Sequence, residues 1–329
     1  MNRVDFELGD SSSLRHELLL MLEKELLFIR ELCESRPGMN KTAVHETRRT
    51  LKKCRALIRL VRDPMGYASY YRENTRMRNM HRLLSRARDT EVFFTMLKKL
   101  PKKYHTAREE AWYQKTLENA KILRNRERER INTENVHREI SLGTNRCIDN
   151  LAHYQLEEDG FTLIEDGLSR VYRQGRRMIP EAFMPGADAA VVHRFRKKAK
   201  YHQFQLTYLI PVSPGLLKPA SKTMQRLTDK LGMYNDYHHA VEWIPGLAPG
   251  DRVSRRKINQ LLENLKADMV RLKGEARLVS DKLYAEEPDQ FIDLPPGYPV
   301  PACQPGDPFN GMVVVVVHAE LVGESLHHF

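Results

Sequence analysis

Two stretches of the 329-residue chain set one histidine ahead of three cations at helical spacing. The first is Val44-His45-Glu46-Thr47-Arg48-Arg49-Thr50-Leu51-Lys52-Lys53. The second is Val192-His193-Arg194-Phe195-Arg196-Lys197-Lys198-Ala199-Lys200. In both, bases stand three, four and seven residues after the histidine: Arg48, Arg49 and Lys52, then Arg196, Lys197 and Lys200. Those offsets return to one face of an α-helix. Such a stripe suits anion binding through charge-assisted hydrogen bonds, with Arg offering a planar fork and Lys a mobile point charge. The histidine donates to an anion when neutral and adds charge when protonated. The other reading of each His is a structural residue hydrogen-bonded inside a helical bundle.

A second marker follows each stripe at nearly constant distance. Arg88-Asp89 lies 44 residues after His45, and Asn235-Asp236 lies 43 after His193. The repeat offset of about 148 residues matches the two units that the length suggests. Asp89 and Asp236 are expected to cap the helix that follows, or else to orient the cationic stripe by ion pairing. Between the markers a further helix in each copy is basic at i, i+4 spacing. Arg78, Arg82 and Arg86 form that stripe in the first copy, and Lys218, Lys222, Arg226 and Lys230 in the second. Like charges at i, i+4 destabilise an isolated helix by roughly 0.2–0.5 kcal/mol per pair, so stripes on four helices call for a polyanion. The run Arg124, Arg126, Arg128 and Arg130, interleaved with Glu127 and Glu129, reads instead as a self-paired surface.

The elements that must carry these stripes are helices almost throughout residues 14–285. Leu14, Leu18, Met21, Leu22, Leu26 and Ile29 recur at helical spacing behind candidate caps Ser11–Ser13, and Pro37-Gly38 ends that run. Helices are expected over about 41–62, 67–84, 89–100, 104–130 and 133–153. In the second half they are expected over 162–178, 189–209, 218–231, 235–244 and 253–284. Pro180–Pro185 reads as a linker, and Gly232 separates two of the later helices.

The composition is that of a globular chain, with 41% hydrophobic and 29% charged residues. The net charge of +11 is unevenly placed. From Glu286 to Phe329 there are seven acids and no Lys or Arg, so this tail carries −7 and residues 1–285 carry +18. Seven prolines between Pro288 and Pro308 make the tail irregular, and Val313–Val317 would form a short strand docked on the body. No apolar run is long enough to span a bilayer, and acids interrupt the N-terminal apolar stretch, so neither a membrane span nor a signal peptide is expected. Cys33, Cys54, Cys147 and Cys303 are scattered without disulfide-like or CxxC spacing, which favours a reducing, cytoplasmic setting.

The His-x-x-Arg helix, the Arg-Asp or Asn-Asp marker and the tandem copy together resemble the CHAD domain family (conserved histidine α-helical domain) over most of residues 14–285. The resemblance implies an all-α fold of two antiparallel four-helix bundles related by a pseudo-two-fold, with units at 1–157 and 158–285 and the tail at 286–329. It also implies a basic channel that binds inorganic polyphosphate, and an association with polyphosphate granules. The matching positions are His45, Arg48, Lys52, Lys53 and Arg55 in the first copy, and His193, Arg196, Lys197 and Lys200 in the second. With Arg49 and the stripes of Arg78, Arg82, Arg86, Lys222, Arg226 and Lys230, these are the expected ligand contacts. Where the family usually carries an Arg-Tyr pair after the second motif, this chain has Gln203 and Phe204, so one cation is missing from that stripe.

Other chemistry finds little support in the sequence. There is no Walker loop and no GxGxxG. His238 and His239 are adjacent and so face apart on a helix, and no other spacing suggests a metal or a cofactor. Some CHAD relatives are joined to triphosphate-hydrolase tunnels, but no alternating Glu-x-Glu-x-Lys strand occurs here. The expectation is therefore a non-catalytic polyphosphate-binding protein. Non-specific nucleic-acid binding is the second candidate, disfavoured by 8% aromatics and no stacking module. Phosphate transfer through a phosphorylated His45 or His193 is the third.

Overall fold

The computed structural model describes residues 13–35, 38–100, 110–211 and 214–287. Among them are ten α-helices and no strand. They are α1 (Leu14–Glu34), α2 (Lys41–Leu60), α3 (Tyr67–Leu83), α4 (Ser85–Lys98), α5 (Ala111–Thr133), α6 (Val136–Leu151), α7 (Thr162–Phe183), α8 (Ala189–Leu209), α9 (Pro214–Leu247) and α10 (Arg252–Leu283). The acidic tail and the valine run expected to dock as a strand lie outside the described residues.

Side-chain caps account for four of the ten helix starts. Ser13, Asn40, Asp188 and Asp251 are N-caps whose side chains accept from the backbone N–H of His16, Ala43, Ala190 and Ser254. Each satisfies an N–H that the helix itself leaves unbonded. Asp89 and Asp236 are not caps. Asp89 sits inside α4, and Asp236 lies deep within α9. Nor does Gly232 break the chain, since α9 runs through it, and α7 continues through Pro180 to Phe183. Two breaks lack a Gly or Pro signal. Leu84 separates α3 from α4, and Asn135, in the left-handed region at φ 52°, separates α5 from α6. Asn tolerates that conformation better than most side chains.

The helices pack as two cycles of neighbours. In one, α1 contacts α2 and α6, and α3 contacts α2 and α6. In the other, α7 contacts α8 and α10, and α9 contacts α8 and α10. The α4–α5 pair continues α3 and α6 and rests on α9. Helix α2 is the seam, because it touches both α7 and α8. A single apolar cluster runs through both cycles, from Leu18, Leu26 and Ile29 of α1 to Leu261, Leu265 and Leu272 of α10.

Close approach at the seam depends on Gly167 of α7. A Cβ there would stand 2.1 Å from the backbone oxygen of Leu60 and 2.4 Å from that of Arg59. Backbone cannot move aside as a flexible side chain can. Gly167→Ala is therefore expected to lower stability by about 1–3 kcal/mol, as overpacking does. The control is Gly274→Ala in α10, where nothing lies within 4 Å and a gain of up to about 1 kcal/mol is expected. Urea unfolding of both variants measures the two signs.

Candidate functional site

At the seam, α2 and α8 bring the two histidine-and-cation stripes together. The apolar side of α2, including Val44, Leu51, Cys54 and Ile58, is committed to the core. The amphipathic period therefore turns Arg48, Lys52, Arg55 and Arg59 to the opposite side. Arg48 is clamped onto the α3–α4 junction, with its side chain only 11% exposed. Its Nη1 donates to the backbone oxygen of His81 at 3.1 Å and to Ser85 Oγ at 2.7 Å. Its Nη2 lies 3.9 Å from Asp89. Further along α2, Arg55 and Arg59 both donate to Asn74 Oδ1 at 3.0 Å. The ring of Tyr201, contributed by α8, lies 5.5 Å from the Arg55 guanidinium and 4.0 Å from that of Arg59. Cation–π contact thus holds the guanidinium planes without neutralising them.

On α8, Arg196 passes Gly232 of α9, where a Cβ would approach its Nη2 to 3.2 Å. Lys200 sits 5.1 Å over the Phe204 ring. Gln203, at the position of the missing cation, is buried and bonded to Gln225 and Thr228, and Gln225 in turn donates to the carboxylate of Asp229. The second stripe therefore ends without a cation where the first continues with Arg55.

The charges at this seam crowd one another. Burial pulls the Lys52 ammonium down to about 7, helped by Arg48, Arg196, Lys200 and Arg88. Lys200 falls to about 8 through burial and Arg196, against the pull of Asp229. Burial lowers His193 to about 4, with Lys197 and Arg196 adding to it, and lowers His45, with Arg88 the largest charge against it. His81 is driven down to about 2 by burial and by Arg48, Lys52, Arg55 and Lys197. The histidines are accordingly neutral at pH 7 in the free protein. Buried nitrogens of Arg78, His81, His193 and Arg196 have no hydrogen-bond partner among the described residues. Unsatisfied buried polar atoms are costly, and two of these four, Nε of Arg78 and of Arg196, are fixed donors that an anion could satisfy.

Asp236 is the main counter-charge. It is buried, which raises its pKa, while Arg196 of α8 and Arg88 of α4 pull the other way. With Asp89 on Arg48, it orients cations from both halves, the role considered for this pair beside capping. Arg88 is a site residue that stripe spacing alone missed, although it stands in the Arg88-Asp89 marker. His81 and Lys198 belong here too; Lys198 lies near Arg59 and Arg55 and donates to Gln174 at 2.6 Å.

Not every expected contact joins this cluster. Lys53 turns to Glu25 of α1, at 2.5 Å, beside the Tyr208 ring. Arg86 pairs with Glu127 of α5 at 2.8 Å, and Lys230 pairs with Glu275 of α10. Lys222, Arg226 and Arg49 are exposed, and Arg49 pairs with Glu46 at 3.4 Å. Arg82 and Lys197 are exposed but close enough for Arg82 to depress Lys197. Arg78 is half-buried near Arg55. The Arg124–Arg130 run is only partly self-paired. Arg130 bonds Glu127 and Glu134, but Arg128 and Arg124 reach buried Glu91 of α4. His238 and His239 do not face apart as adjacency suggests, because both approach Glu242.

Cys33, Cys54 and Cys147 are free and buried. Among the described residues no helix is long and apolar enough to cross a membrane. The family model of the CHAD domain matches residues 28–245, which span α2 to α8 and nearly all of α9. No curated protein matches the chain.

Proposed function

The chain belongs to the CHAD domain family, and from that premise we propose that it binds inorganic polyphosphate along the α2–α8 seam, as a binding module without turnover. The observation that carries the reading is that the packing of α2 against α8 sets half-buried Lys52 of one stripe beside Arg196 and Lys200 of the other, with Arg48 and Arg88 also acting on it. Cations packed this closely repel one another, and an anion bound between them would relieve that repulsion. The family is associated with polyphosphate binding. The stripe from His45 to Arg59 is about 21 Å long at 1.5 Å per residue, enough to track several successive phosphates. A thin, flexible chain of phosphates reaches half-buried amines between packed helices. A nucleic-acid duplex presents its phosphates on a stiff, wide surface and suits exposed cations better.

Polyphosphate carries no bases, so aromatic readout adds nothing to its recognition. Here the aromatic rings of the seam serve the protein's own guanidinium and ammonium groups. Granule association would follow as a consequence of binding.

Selectivity is the direct test. Labelled long-chain polyphosphate is bound at physiological salt and challenged with duplex and single-stranded DNA at equal phosphate concentration. Polyphosphate is expected to resist displacement by at least about tenfold. Displacement by DNA at comparable phosphate concentration would instead mean that bulk positive charge is being read.

A further inference from the structure

We propose that His238, His239 and Glu242, on the outer edge of α9, form a binding site for a divalent transition-metal ion of the zinc class. Nδ1 of His238 and Nδ1 of His239 each lie 3.3 Å from Oε2 of Glu242. The three donor atoms fall within 4.8 Å of one another. Zinc bonds to His nitrogen and carboxylate oxygen run about 2.0–2.2 Å, and tetrahedral geometry then separates neighbouring ligand atoms by about 3.3–3.6 Å. Two sides of the triangle therefore already stand at ligand spacing.

The helix explains how adjacent histidines manage this. Glu242 is three residues from one and four from the other, so it sits one turn on, between the two directions. Each imidazole presents its nearer ring nitrogen to that carboxylate. The His239 ring is braced 5.8 Å from the Trp243 ring, which in turn packs edge-on against Phe93 at 5.2 Å. Buried Tyr237, Ala240 and Ile244 anchor the inner face of the same segment. The ligand side chains themselves are between 30% and 50% exposed, so an ion can enter.

The donor set decides the class of ion. Two imidazoles and one carboxylate suit Zn²⁺, Co²⁺ or Ni²⁺, whereas Mg²⁺ and Ca²⁺ prefer all-oxygen sites. Three protein ligands leave a tetrahedral ion one further position.

The test uses the full chain carrying His327→Ala and His328→Ala, which removes the other adjacent histidine pair in the sequence. Titration with Co²⁺, followed by its visible absorption, and with Zn²⁺, followed by calorimetry, should show one saturable site at micromolar concentration. His239→Ala and Glu242→Gln should each weaken it by at least about tenfold, with circular dichroism unchanged. Absence of saturable binding would overturn the site. So would a Co²⁺ spectrum and affinity that neither substitution alters.

Discussion

Replacing Arg48, Lys52, Arg196 and Lys200 together with alanine is expected to lower the affinity for long-chain polyphosphate by about a thousandfold or more. Hydrogen bonds to charged groups contribute about 1.5–3 kcal/mol each, and about 4 kcal/mol corresponds to a thousandfold. Four such losses therefore exceed that figure even with strong non-additivity. The salt dependence of binding should also flatten, since fewer counterions are exchanged at the site. The control is a variant with the same loss of charge elsewhere, Lys115, Lys257, Lys266 and Arg277 to alanine. These residues pair with Glu118, Glu110, Glu263 and Asp281 respectively. It should weaken binding only a few-fold. Equal losses in the two variants would reduce the proposed site to net charge.

Polyphosphate affinity is expected to fall as pH rises from about 6.5 to 9, because Lys52 and Lys200 lose their protons in the free protein near pH 7 and 8. Binding in that window should take up protons, seen as a dependence of calorimetric heat on the buffer's ionisation enthalpy. The stability of the unliganded protein should move the opposite way. The folded Lys52 has a pKa of about 7 against an ordinary 10.5. Between those values the unfolded chain binds more protons than the folded one, so stability rises with pH across about 7–10.5. The penalty is fully present below pH 7 and gone above 10.5, on the order of a few kcal/mol. Lys52→Met should raise the stability of the unliganded protein at pH 7 and flatten this slope. Saturating polyphosphate should flatten it in the wild-type chain. Urea unfolding across pH, with and without ligand, reads all three. An unliganded Lys52→Met protein no more stable than wild type at pH 7 would mean that Lys52 is not under electrostatic strain.

The order of energies explains why the cluster is tolerated at all. Its cations stand on helices whose opposite faces are committed to the core: Leu51, Ile58 and Leu60 on α2, Phe195, Leu206 and Leu209 on α8. Burying side chains of that size stabilises by about 1.5–3 kcal/mol each. That apolar packing offsets the repulsion. Asp236 and Asp89 reduce it further without cancelling it.

Much of this was legible residue by residue. Leu14, Leu18, Met21 and Leu22 mark α1 by period alone, and Ser13 caps it as its side chain suggests. The His45 and His193 stripes and their 148-residue offset were equally plain. Other positions misled. Asp89 and Asp236 have the side chain of a cap, yet each lies inside a helix, Asp89 at 3.9 Å from Arg48 and Asp236 near enough to act on Arg196. Gly232 has the residue type of a break, but it serves a guanidinium passing close by. Lys53, Arg86 and Lys230 share a sequence pattern with the seam cations, and carboxylates on α1, α5 and α10 claim them.

The amino-acid sequence by itself determined that the described body is helical, that its charge is ordered in stripes, and which residues share a helix face. Those are consequences of a 3.6-residue period, which is local. Only the tertiary structure decided that the stripes of α2 and α8 meet. The same packing brings Arg88, His81 and Asp236 in beside them, and lets His238 and His239 converge on Glu242. Helix contacts between residues more than a hundred positions apart have no local signature. A cation's pKa depends on the water and charges that this packing removes or brings near. Lys52 is an ordinary lysine in the sequence, and the approach of α8 to α2 makes it the strained centre of the site.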